Sequence, residues 1–113
     1  MYSPEIFCIF SKPIYIDYLD IDNTNVLKLL YNEKFKKIWN EKNLCKTSID
    51  RFILEKKELL FLKNKIMKCF QKYCKDILKY NYNSFKITTS WITKTNKEEL
   101  SRIHNHNNSM FSG

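Results

Sequence analysis

Residues 85–113 read FKITTSWITKTNKEELSRIHNHNNSMFSG, and their pattern decides what kind of domain this is. From Phe85 to Lys94 the residues alternate: Phe85, Ile87, Thr89, Trp91 and Thr93 fall on one face, with Lys86, Thr88, Ser90, Ile92 and Lys94 on the other. A period of two with β-branched and aromatic residues predicts a strand. A polar loop follows over residues 95–102, with a helical turn expected at 97–100. His104 and His106 then appear as the only imidazoles in the chain. Two residues apart on extended backbone, they project to one side and can reach one ion. Imidazole suits iron or zinc, so His104 and His106 are the candidate metal ligands.

Upstream lies helix. Residues 55–79 carry Leu59, Leu62, Ile66, Phe70, Tyr73 and Ile77 at steps of three and four, one apolar stripe on a helix. Lys57, Lys65, Lys68, Lys72, Lys75 and Lys79 lie on the opposite side, within about a quarter of the circumference. Before it, the polar cluster 20–25 offers Asp22, Asn23 and Thr24 as N-caps. A second amphipathic helix then reads through Val26, Leu29, Leu30, Phe35, Ile38 and Trp39 to about Asn40. Residues 6–10 and 14–19 read as two short strands, or one bent edge strand, interrupted by Pro13. The fold class is therefore α+β, with two amphipathic helices packed on a small, incomplete antiparallel sheet.

Composition sets further bounds. A hydrophobic fraction of 43% with 15% aromatic residues, over 113 residues, describes one globular domain rather than a disordered chain. The net charge is +8, yet Arg51 and Arg102 are the only arginines. Lysine attracts phosphate as a point charge and reads base edges poorly, so contact with nucleic acid is expected to be non-specific. Gly113 is the sole glycine, whereas tight hairpins draw on glycine heavily. The chain therefore reads as the helical front of a mixed domain. The four cysteines, Cys8, Cys45, Cys69 and Cys74, form neither a C-x-x-C pair nor a secreted framework. No basic segment precedes the apolar run at 6–10, and no apolar stretch has membrane-spanning length. A cytoplasmic protein with reduced thiols is the expectation.

The motifs at the end of the chain resemble those of the bacteriophage and marine-bacterial branch of the 2-oxoglutarate/Fe(II)-dependent oxygenases. In that family a Ser-Trp-Ile/Leu-Asn strand leads through a polar loop to His-x-His-Pro-x-Ser and then Ser-Gly-Val-Tyr-Tyr. Here the matching residues are Ser90-Trp91-Ile92-Thr93, His104-Asn105-His106-Asn107-Asn108-Ser109 and Phe111-Ser112-Gly113. The Phe10-Ser11-Lys12-Pro13-Ile14-Tyr15 segment is similar to the family's opening. Asn107 stands where the family has proline, and the loop at 95–103 lacks the family's glycine.

The resemblance implies that residues 1–84 form a strand-helix-helix front, and that residues 85–113 begin a double-stranded β-helix, or jelly-roll, barrel with Trp91 in its core. It implies Fe(II) and 2-oxoglutarate as cofactors and oxidative hydroxylation as the reaction. It also implies a truncated domain: the family's distal histidine ligand and basic 2-oxoglutarate anchor have no counterpart, and Glu98 and Glu99 would have to fold back to reach the metal. The chain alone is then expected to bind iron weakly and to lack turnover. Open sheet edges at 85–93 and 110–113 would receive the rest of the barrel or a second copy. Two other readings stand beside this one. One is a small basic interaction protein that contacts nucleic acid or an acidic partner. The other is a mini-domain stapled by zinc on Cys and His.

Overall fold

The structure is a computed structural model, and it describes residues 14–80, 85–107, 109 and 111. In chain order it contains α1 (Asn23–Tyr31), β1 (Phe35–Lys37), β2 (Lys46–Ser48), two short 3-10 turns (Ile53–Glu55 and Lys57–Leu59), α2 (Leu60–Lys72) running into a π turn (Tyr73–Ile77), and β3 (Thr93–Lys94). The class is α+β: two helices and a three-stranded antiparallel sheet in the order β1-β2-β3.

α1 begins where the polar cluster places it. The Asp22 carboxylate caps it by accepting the Thr24 N–H at 2.9 Å, and that bond holds the Asp22 carboxyl below its usual range. The helix stops at Tyr31 rather than near Asn40. At about 100° per residue, Phe35 would lie about 180° from Val26, while positions 33, 34 and 37 on the apolar side are Glu33, Lys34 and Lys37. Continuing the helix would thus bury charges and expose Phe35. The chain turns instead, and Phe35 enters β1.

α2 follows its predicted stripe in part: the helix begins at Leu60 rather than at 55, Leu59 closes the 3-10 turn before it, and Ile77 at the end of the stripe is 53% exposed. Leu59 is 2% exposed, and together with Val26 and Ile53 it forms the core, against which Leu29, Leu30, Leu62 and Ile92 pack. Farther along, Phe70 meets Phe85 and Phe111 edge-on at 4.9 and 5.0 Å, and Tyr73 meets Tyr15 at 5.9 Å. The π turn closes with the Leu78 N–H donating to the Tyr73 carbonyl and the Tyr80 N–H to that of Cys74. Lys79 sits between them at φ 55°, the left-handed position that glycine usually fills.

Residues 14–19 form no strand among the described residues; Ile14, Ile16 and Tyr18 are exposed. The strand expected at 6–10 lies outside the described residues. The long strand expected over 85–94 is reduced to β3 and a parallel bridge from Ser90 to Phe52. At Ser90 the backbone makes that bridge and the side chain serves the turn at Ile53–Glu55, so pairing does not extend along the strand. The Ser90 N–H donates to the Arg51 carbonyl, its carbonyl accepts from Ile53 N–H, and its Oγ accepts from Leu54 N–H.

The register assigns the faces of the sheet. Phe35 pairs with Ser48, Lys37 with Lys46 and Lys46 with Lys94, while Lys36, Thr47 and Thr93 form the alternate row. Ile92, two residues from Lys94, lies on the first face and reaches the core. Trp91 lies on the second, 37% exposed and outside the core where it had been expected. No helix among the described residues is long and apolar enough to cross a membrane.

Candidate functional site

The second face of the sheet is covered by rings rather than by a helix. Thr47 and Cys45 on β2 and its approach are 1% and 3% exposed. They floor a cleft of about 230 Å³ whose walls include Trp39, Arg51, Trp91, His104 and His106.

Two anchors place the histidine loop. At its start, Leu100 N–H donates to the Asn43 carbonyl at 2.8 Å, Cys45 N–H donates to the Leu100 carbonyl at 3.0 Å, and Arg102 pairs with Glu41 at 3.2 Å. Just before it, residues 96–99 make a tight turn instead of the expected helical one. Asn96 N–H donates to the Glu99 carboxylate at 2.8 Å, a bond that holds the Glu99 carboxyl below its usual range. Glu98 occupies the third position of that turn at φ 70°, without the glycine that such a position favours.

Within the loop the two imidazoles come together as their spacing predicts, with ring centroids 4.9 Å apart. His106 stacks on Trp91 at 5.3 Å, nearly parallel at 15°, and His104 leans on Trp39 at 6.1 Å. Arg51 lies over Trp91, its guanidinium carbon 5.2 Å from the ring centroid, and donates to Thr47 Oγ1 at 3.4 Å. His104 Nδ1 is 2.6 Å from the Arg102 carbonyl oxygen. A carbonyl can only accept, so His104 Nδ1–H is the donor, which leaves Nε2 as the nitrogen that can face an ion.

Iron or zinc needs more than two protein donors. Among the described residues no group of three or more His, Cys, Asp or Glu is close enough to hold a metal. Glu99 is committed to Asn96, and Glu98 is exposed. Cys69 faces Asp17, at 3.8 Å from its Oδ2, while Cys74 is buried on the π turn, where burial pushes its thiol pKa up. The two imidazoles therefore fit as part of a donor set and not as the whole of one.

Trp39, Trp91 and Arg51 are the parts of the cleft that sequence reasoning missed. Both tryptophans carried ordinary core expectations, and Arg51 lay outside every expected element. A signal did exist for Trp39, since it falls on the polar side of α1's stripe. No family model, curated protein or solved structure matches the chain.

Proposed function

We propose that this chain is the front portion of a 2-oxoglutarate/Fe(II)-dependent oxygenase, with His104 and His106 as metal donors. The observation that carries the reading is the pair of imidazoles 4.9 Å apart at the cleft, with His104 Nδ1–H held by the Arg102 carbonyl. A backbone acceptor on one ring nitrogen fixes the tautomer and aims the other nitrogen, the usual support for a ligating histidine. The order of motifs from Ser90-Trp91 to His104 and His106 supports it as well. Bound iron would supply the redox chemistry of dioxygen activation.

The chain's own residues hold and orient. Arg102 sets the His104 ring, and Trp91 restricts rotation of His106 by stacking on it. Trp39 and Trp91 shield the cleft from bulk water on two sides. A third protein donor and a basic anchor for the 2-oxoglutarate carboxylate are expected from outside the described residues. Strand addition at β3, an outer strand of the sheet, is the route by which the rest of a barrel or a second copy would bring them.

Anaerobic titration with Co(II), followed through its visible absorption, tests the assignment. The expected result is weak, saturable, equimolar binding that His104→Ala and His106→Ala each reduce. Absence of saturable binding, or binding untouched in the double variant, would overturn it.

A further inference from the structure

The register of the sheet sets up a second feature, on the face away from the cleft. Lys37 stands opposite Lys46, and Lys46 stands opposite Lys94. Directly opposed residues share a face, so three lysines stand on one face of the sheet in a row across all three strands. Lys94 Nζ lies 5.5 Å over the Phe35 ring, which places Phe35 beside the same row. Like charges set opposite one another are destabilising.

No ion pair among the described residues engages the row. The ion pairs engage Lys56, Lys63 and Arg102 instead. Glu99 is near enough for Lys46 and Lys37 to influence its carboxyl, but both of its oxygens bond Asn96. Lys37 and Lys94 are exposed and Lys46 is half-buried. Farther along the same face, Ser48 and Ile92 are closed off by the helical core, so the row is a cationic shelf at its border.

Adjacent strands lie about 4.8 Å apart, so the three lysine backbones span about 10 Å across the sheet, with the Lys94 ammonium reaching over β2 to the Phe35 ring. A repeating anion matches that better than a single one. We propose that Lys37, Lys46 and Lys94 form a docking surface for the phosphodiester backbone of single-stranded nucleic acid. Phe35, half-buried alongside the row, offers a ring on which an unpaired base can stack once Lys94 turns from it to a phosphate, and a duplex does not present such a base. The row contains no arginine, so it grips phosphate without reading bases. This surface does not depend on the metal reading, because it lies on the opposite face of the sheet.

Fluorescence anisotropy with a labelled oligo-dT, measured across a salt series on the full chain, tests it. Each phosphate contact to a single strand contributes about 0.7 to the slope of log K against log salt, so Lys37→Gln/Lys46→Gln/Lys94→Gln should lower the slope by about two. The charge-matched control Lys57→Gln/Lys68→Gln/Lys75→Gln, on the helical part of the chain, should change it far less. Glu99→Gln, which keeps an oxygen for Asn96 N–H, should tighten binding about two- to fivefold. Circular dichroism should show both triple variants folded, the row variant no less stable than the parent at low salt. Equal slopes for the two triple variants would overturn the proposal. So would binding to phosphatidylserine vesicles without binding to oligo-dT.

Discussion

Replacing Ser48 by alanine should cost about 2–3 kcal/mol. The Ser48 side chain is 0% exposed. Its Oγ–H donates to the Asp50 carbonyl at 2.8 Å, and its Oγ accepts from Ile92 N–H at 3.1 Å. The backbone bond from Ser48 N–H to the Ile92 carbonyl, 2.9 Å, survives the change. Alanine therefore leaves one part-buried donor and one part-buried acceptor unmatched. A buried donor left without its partner costs about 1–3 kcal/mol, and the carbonyl, beside a half-buried Asp50, adds the lower end of that range because water can reach it. At roughly 4–8 °C per kcal/mol for a domain of 60–100 residues, somewhat less for this longer chain, the midpoint should fall by about 8–20 °C. Urea unfolding followed by tryptophan emission measures the loss, with exposed Ser101→Ala as the control. A difference below about 0.5 kcal/mol between the two variants would refute the claim that this hydroxyl ties β3 to β2.

Two further predictions concern backbone strain and charge. Lys79→Gly and Glu98→Gly each relieve a left-handed residue, worth about 1–2 kcal/mol, against about 0.5–1 kcal/mol of added chain entropy; a gain of about 0.5–1 kcal/mol each is expected in thermal melts. Lys56 bonds Glu33 at 2.5 Å, with Asp50 at 3.6 Å, and the Glu33 contact raises the Lys56 pKa above its ordinary value. Its contribution is thus complete below about pH 10 and is lost as pH rises through the raised value. Lys56→Met should cost about 1–2 kcal/mol at pH 7, since Glu33 is only 12% exposed, and the difference should shrink in urea melts as pH rises through the raised Lys56 value.

How far the sequence could be read depended on whether a residue's role was local. The Asp22 cap and the middle of the α2 stripe are decided within one or two helical turns, and both were legible; the helix start at 55 and Ile77 at the end of the stripe were not. α1 was overextended because Phe35, Ile38 and Trp39 fall at spacings that suit a helix loosely, and only the angle from Val26 exposes the mismatch. The phase of residues 90–94 was readable too: Trp91 does share a side with Thr93, and Ile92 with Lys94. Which side faces the core was not, because β2 decides that from more than forty residues away. The convergence of His104 and His106 follows from their spacing. The Trp39 and Arg51 walls do not, since they arrive through tertiary pairing alone.

The spacing of the strands along the chain also orders their assembly. Eight residues, 38–45, join β1 to β2, whereas forty-four, 49–92, separate β2 from β3. Loop-closure entropy grows as (3/2)RT ln n, so docking β3 costs about 1.5 kcal/mol more than closing the first pair. α2 lies within the longer connection and shortens its effective span once formed. The β1–β2 pair can therefore form early, and the third strand joins only after α2 has packed. Trp91 and the histidine loop both depend on β3 docking, so the cleft is expected to assemble late, an order that a folding-rate comparison of Ser48→Ala with the parent would check.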